Sequence, residues 1–181
     1  MQAAPARATQ FDSWVLLPEN VGKSYELIAG EIVEKVVSNQ KSSRIAGKIY
    51  FYIQLYLIEK NIGRLTPPDG GYFIGAERYI PDVGYISRAR QPIANDDAYN
   101  PLVPDLAVEV ISPSDSYQQI RHKVSHYLAA GTVVWVVLPE TEQIEIYTPD
   151  AVPIMLGADD ILEGGSIRPD FRMDVKKAFA D

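Results

Sequence analysis

Apolar residues recur at Ile45, Ile49, Tyr52, Ile53, Tyr56 and Leu57, a spacing of three and four that predicts an amphipathic helix stopped by Asn61-Ile62-Gly63. Upstream, Tyr25–Ile28 and residues 31–37 flank Ala29-Gly30, the pattern of a β-hairpin. A short helix is expected over Phe11–Leu17, stopped by Pro18, and residues 1–10 read as a loosely held arm without periodicity. Three β-rich runs follow the long helix, at about 64–75 with a bend at Gly70-Gly71, at 79–87, and at 105–112. A second helix is expected over Gln118–Ala130, closed by Gly131 as its C-cap residue. Residues 132–138 and 143–148, joined by Pro139-Glu140-Thr141-Glu142, predict another hairpin. A last strand and a terminal helix over Val175–Ala180 complete the tail. The order is helix, three strands, helix, strands, an α/β (α+β) arrangement with a mixed sheet flanked by helices and an added N-terminal hairpin.

Composition narrows the functional classes. The chain has 181 residues, of which 46% are apolar, enough for one core, so residues 11–181 are expected to form a single domain behind the arm. Cysteine is absent, which excludes a disulfide framework, a thiolate zinc site and a cysteine nucleophile. No apolar run has the roughly 18 residues of a membrane span, and Met1–Gln10 lacks the apolar segment of a signal peptide, so a cytoplasmic protein is expected. The formal charge is −7, from 17 Lys+Arg against 24 Asp+Glu, which argues against a broad electrostatic coat on nucleic acid. It leaves room for a local groove, and Lys41, Arg44 and Lys48 make a small basic face on the long helix.

The candidate chemistry begins with two acids in apolar runs. Glu109 lies in the middle of Leu106-Ala107-Val108-Glu109-Val110-Ile111, and Asp82 interrupts Tyr79–Ile86. A buried ionised carboxylate must be paired, protonated or bound to a metal. Strand alternation puts Asp105, Ala107, Glu109 and Ile111 on one face, and Asp82 with Ile80, Gly84 and Ile86 on one face of the neighbouring run, where Gly84 leaves space beside the acid. With those faces aligned, Asp82 and Glu109 converge. On the following helix, at about 100° per residue, Ile120, Val124, Tyr127 and Leu128 form the packing face. Lys123 borders that face and reaches toward Glu109, whereas His122 and His126 fall on the opposite side. Without an H-E-x-x-H pattern, the two histidines are not expected to bind zinc. Ser112-Pro113-Ser114-Asp115 lacks a nucleophile elbow and is expected to cap the next helix. Two carboxylates and a lysine suit hydrolysis of a phosphodiester: hard oxygen ligands hold Mg²⁺ or Mn²⁺, and the lysine orients the attacking water or offsets phosphate charge.

The strings YELIAGEIV, RYIPDVGYIS and PDLAVEVISPSD, the K-x3-Y-x3-G of Lys123, Tyr127 and Gly131, and VVWVVLPETEQIEIY resemble the Uma-two family of restriction-endonuclease-like proteins. That family is common in cyanobacteria and belongs to the PD-(D/E)xK superfamily. The resemblance runs from about Tyr25 to Phe179. It implies an αβββαβ core and a metal-dependent endonuclease acting on DNA, with Asp82 and Glu109 as metal ligands and Lys123 as the catalytic lysine. The position two after Glu109, lysine in an E-x-K motif, is Ile111 here, and the resemblance implies that the lysine has moved to the following helix, at Lys123. Glu26 and Glu31 match the YEL…GE string, with Glu31 preferred as a further ligand, and Asp105 and Tyr127 are secondary candidates. A homodimer is expected by analogy with enzymes that cut both strands. The alternative function is a catalytically inactive nuclease fold serving as a nucleic-acid or protein interaction module, with Glu109 and Lys123 as a structural pair.

Overall fold

The computed structural model describes residues 4–58, 60–165 and 167–180. Helix α1 (Ala4–Trp14) is followed by a 3-10 turn at Pro18–Asn20 and the hairpin β1 (Tyr25–Ile28) and β2 (Glu31–Glu34). Helix α2 (Gln40–Ile58) leads into β3 (Gly63–Thr66), β4 (Gly71–Ile74), β5 (Glu77–Tyr79), β6 (Val83–Ser87), β7 (Tyr99–Asn100) and β8 (Leu106–Val110). After α3 (Tyr117–Ala129) come β9 (Val133–Leu138), β10 (Gln143–Tyr147), β11 (Ile154–Leu156), β12 (Ile161–Gly164), β13 (Arg168–Asp174) and α4 (Lys176–Phe179).

A six-stranded mixed sheet in the order β11-β10-β9-β8-β6-β3 forms the centre. Within it, β3, β6 and β8 are antiparallel neighbours, while β8 and β9 are parallel and joined through α3. The sequence α2-β3-β6-β8-α3-β9 is therefore the expected αβββαβ core. Alternation divides its two faces. Leu106, Val108 and Val110 of β8 pack with Ile45, Ile49 and Ile53 of α2 on one side, while Ala107, Val134 and Val136 pack with Val124 and Tyr127 of α3 on the other. Gly131, at φ 81°, ends α3 in the left-handed region, as a C-cap glycine should.

A second sheet, β2-β1-β5-β4-β7, covers the α3 side. Its hairpin turns through Ala29 and Gly30 at φ 54° and 76°, the positive pair that lets β1 and β2 twist together. This sheet explains the departures from the sequence reading. The run 64–75 is not one bent strand: β3 joins the central sheet and β4 the second. The run 79–87 likewise breaks at Ile80-Pro81-Asp82, where the chain passes from β5 in the second sheet to β6 in the central one. Proline, which has no N–H to donate, suits that crossing. The arm expected over residues 1–10 is helical from Ala4, residues 1–3 lying outside the described residues. Its anchor is the buried guanidinium of Arg78, which donates from Nε and Nη2 to the two Asp12 oxygens at 2.8 Å each, while Phe11 buries against Tyr99. The tail adds β11, β12 and β13 before the short α4, where the sequence suggested one strand.

The space expected beside Gly84 is filled. A Cβ there would lie 2.5 Å from Cε2 and 2.9 Å from Cζ of Tyr72, a ring with no solvent exposure whose hydroxyl is hydrogen-bonded to Thr66. Tyr72 has nowhere to retreat. Gly84→Ala is expected to destabilise the protein by about 1–3 kcal/mol, seen as a lower urea midpoint with an unchanged denaturant slope.

Candidate active site

The cavity forms where the break between β5 and β6 meets the C-terminal end of β8. The β6–β8 ladder pairs Val83 with Val108, so the next step sets Asp82 opposite Glu109. The Asp82 N–H donates to the Val108 carbonyl at 2.9 Å. Its carboxylate accepts from the Val110 N–H through Oδ2 at 2.8 Å and from Lys35 through Oδ1 at 3.1 Å. Lys35, just beyond β2, also donates to the Ile80 carbonyl at 2.6 Å and so holds both ends of the crossing.

Glu109 points from β8 toward α3. Its Oε1 lies 2.7 Å from Lys123 Nζ and accepts from the Tyr127 hydroxyl at 3.1 Å. Lys123 and Tyr127 are one helical turn apart, so α3 aims both at the same oxygen. The Lys123 ammonium, only 4% exposed as a residue, also donates to Glu26 Oε1 at 2.9 Å. Glu26, from β1, accepts in addition from the Ile80 N–H at 2.6 Å. One ammonium thus stands between two buried carboxylates, with a third, Asp82, on the wall of the same cavity. The cavity has about 150 Å³ and is lined by Glu26, Glu34, Lys35, Asp82, Glu109 and Lys123, with the Ser112–Ser116 turn at its rim.

The electrostatics follow from that crowding. Burial pushes Glu109 up to about 7, the negative charges of Glu26 and Asp82 push the same way, and Lys123 opposes them. Burial alone would lower Lys123, yet Glu109 and Glu26 together carry it above its ordinary value. The two partners therefore shift unequally for a physical reason: Lys123 has two carboxylates to itself, whereas Glu109 shares its lysine and faces two further acids. Tyr127 stays a phenol, pushed well above its usual range by burial and by Glu109.

Asp82, Glu109 and Lys123 are brought together at the cavity, and the fully buried Tyr127 joins them through its bond to Glu109 without lining it. Two other candidates lie elsewhere. Glu31 is exposed at the start of β2, and Glu26 takes the inward position instead. Asp105, at the other end of β8, accepts from the Ser87 N–H at 2.7 Å and from Arg90 Nε at 2.9 Å, which makes it a brace for the loop after β6. On the basic face of α2, Lys41 pairs with Glu140 at 3.2 Å. His122 and His126 do not face away from the protein, because β5 covers that side of α3. Their rings stand 4.1 Å apart, and His122 Nε2 is 4.0 Å from Glu77 Oε1. Ser116 caps α3, its hydroxyl accepting from the Gln119 N–H at 3.5 Å.

The donor set of the cavity suits a hard cation. Glu26, Asp82 and Glu109 offer carboxylate oxygens and no soft ligand, and Glu109, raised first by burial and then by its acidic neighbours, is a carboxylate whose charged form a cation would favour. Among the described residues no helix is long and apolar enough to cross a membrane.

A nuclease of the DUF820 group from Anabaena variabilis ATCC 29413, described as putative, has a solved structure that superimposes with a TM-score of 0.81 at 22% identity, over 93% of this chain and 96% of that one. The likeness gives this chain a restriction-endonuclease-like fold. No protein of curated function matches it. Residues 8–176 match the family profile described as "Putative restriction endonuclease", and with nearly its whole length covered the chain belongs to that family, Uma2.

Proposed function

We propose that this protein is a metal-dependent endonuclease that hydrolyses phosphodiester bonds in DNA. The observation that supports this reading best is the meeting of Glu26, Asp82 and Glu109, from three separate segments, with Lys123 at one cavity of a nuclease fold, where the Tyr127 hydroxyl binds Glu109. Asp82 and Glu109, joined by Glu26, are the residues that would hold Mg²⁺ or Mn²⁺. A cation there would lower the pKa of bound water and neutralise charge developing on the phosphate oxygens.

The side chains divide the remaining work. Lys123 carries its proton at neutral pH because two carboxylates hold it, so it serves as an orienting donor and a counter-charge to phosphate rather than as a base. Tyr127 and Lys123 both bind Oε1 of Glu109 and fix the carboxylate in one orientation. Lys35 and the Val110 N–H do the same for Asp82.

The proton on Glu109 gives the test. With Glu109 at about 7, cation binding must displace a proton below neutrality, so affinity should strengthen by up to about tenfold per pH unit below 7 and level off above it. The same shift has a stability sign. Without cation, the folded state binds more protons than the unfolded one, so this group's stabilising contribution is full below about 4.5 and is lost as pH rises toward about 7. Calorimetric titration of Mn²⁺ at pH 6 and pH 8 should show about tenfold tighter binding at pH 8, and no binding for Asp82→Asn or Glu109→Gln. Binding unchanged in both variants would overturn the reading. A second reading, an inactive nuclease fold used for interaction, draws support from Lys123 already satisfying both glutamates. Wild-type protein that takes no Mn²⁺ at pH 8 would favour it.

A further inference from the structure

One face of α3 remains unused by the cavity. His122 and His126 are one turn apart on this helix, each one position before Lys123 and Tyr127, and their ring centroids lie 4.1 Å apart with the planes tilted by 32°. Facing them is Glu77 of β5, 7% exposed. One ligand atom from each of the three side chains lies within 4.8 Å of the others. Two of the polar atoms at this spot, Glu77 Oε2 and His122 Nε2, are buried without a hydrogen-bond partner. Buried polar atoms are normally hydrogen-bonded, so the arrangement lacks a component.

We propose that Glu77, His122 and His126 form a binding site for one Zn²⁺-class ion, separate from the Asp82–Glu109 cavity. Two imidazoles and a carboxylate are borderline ligands that favour zinc or cobalt over magnesium. Around a tetrahedral ion their ligand atoms stand about 3.4 Å apart, so the observed 4.0 Å between His122 and Glu77 closes with small side-chain rotations. Three protein ligands leave the fourth position of a tetrahedral ion for a water. The ion would clamp α3 to β5. The Tyr79 ring separates the two sites, 6.4 Å from the His126 ring, 5.2 Å from the Tyr127 ring and 5.5 Å from Lys123 Nζ. A clamp at Glu77 therefore steadies the helix that carries Lys123.

The chain has two histidines, so ¹⁵N-histidine labelling reports on this site alone. Adding one equivalent of Zn²⁺ to the full-length wild-type protein should shift the imidazole nitrogens of both residues, and Co²⁺ should give the visible absorption of a tetrahedral ion. Asp82→Asn/Glu109→Gln should keep both signals, whereas His126→Gln should weaken Zn²⁺ binding by about a hundredfold and Glu77→Gln should weaken it as well. Unmoved histidine nitrogens in wild-type protein would overturn the proposal whether or not the variants fold. So would Zn²⁺ binding that is lost in Asp82→Asn/Glu109→Gln but retained in His126→Gln.

Discussion

Glu109→Gln is expected to lower plasmid cleavage in Mn²⁺ by about a thousandfold or more, near 4 kcal/mol of lost transition-state stabilisation, while the protein stays folded. Glutamine has the same shape, and its amide oxygen can still accept from Lys123 and Tyr127, so the contacts at 2.7 and 3.1 Å have a replacement acceptor. What disappears is the negative charge facing the cavity. The other carboxylates grade the effect. Glu26→Gln should also impair cleavage, because Glu26 shares the Lys123 ammonium with Glu109. Asp105→Asn should not, since Asp105 sits four residues, about 13 Å, along β8 and is engaged by Ser87 and Arg90. Glu31→Gln, on the exposed start of β2, should leave cleavage unchanged. The assay is nicking of supercoiled plasmid at equal protein concentration. Wild-type rates in Glu109→Gln would mean that the cut is made elsewhere on the molecule or by a contaminant.

The ordering of those variants shows how far the chain could be read unaided. Glu109 and Lys123 are legible because each sits in a regular element whose period sets its direction: β8 alternates cleanly, and the helical phase puts Lys123 beside Ile120 and Val124. Glu26 could have been found by the same argument. It stands between Tyr25 and Leu27 in a strand buried on both faces, an acid as misplaced as Glu109, but a hairpin end invites an exposed reading and drew attention to Glu31 instead. Lys35 had a fainter signal, sharing its face with half-buried Val33. The second sheet was not legible. Nothing in the apolar runs 64–75 and 79–87 says that each changes sheets midway, because strand period is blind to which sheet a strand joins. Two misplacements follow from that: the space assigned to Gly84, which holds Tyr72, and the outward direction assigned to His122 and His126, which is the side β5 covers.

Lys123→Met should be the most destabilising change at the site, costing about 3–5 kcal/mol in the absence of divalent cation. The methionine fills much of the volume, so the loss is electrostatic: Glu26 and Glu109, both buried, would share a cavity wall without the ammonium that now lies 2.9 and 2.7 Å from them. Glu109 can respond by keeping its proton, which makes the variant's deficit dependent on pH. It should be small near pH 5, where Glu109 is protonated, and should grow as pH rises through about 7. Adding Glu109→Gln to Lys123→Met removes one stranded charge and should restore a good part of the loss, a non-additivity that two independent sites would not show. Mn²⁺ should restore stability in Lys123→Met but not in the double variant, because the cation and the ammonium answer the same carboxylates. Urea unfolding followed by the fluorescence of buried Trp135 measures each case. A Lys123→Met deficit that is flat from pH 5 to pH 8 would show that Lys123 contributes packing alone and that Glu109 is not held under electrostatic stress.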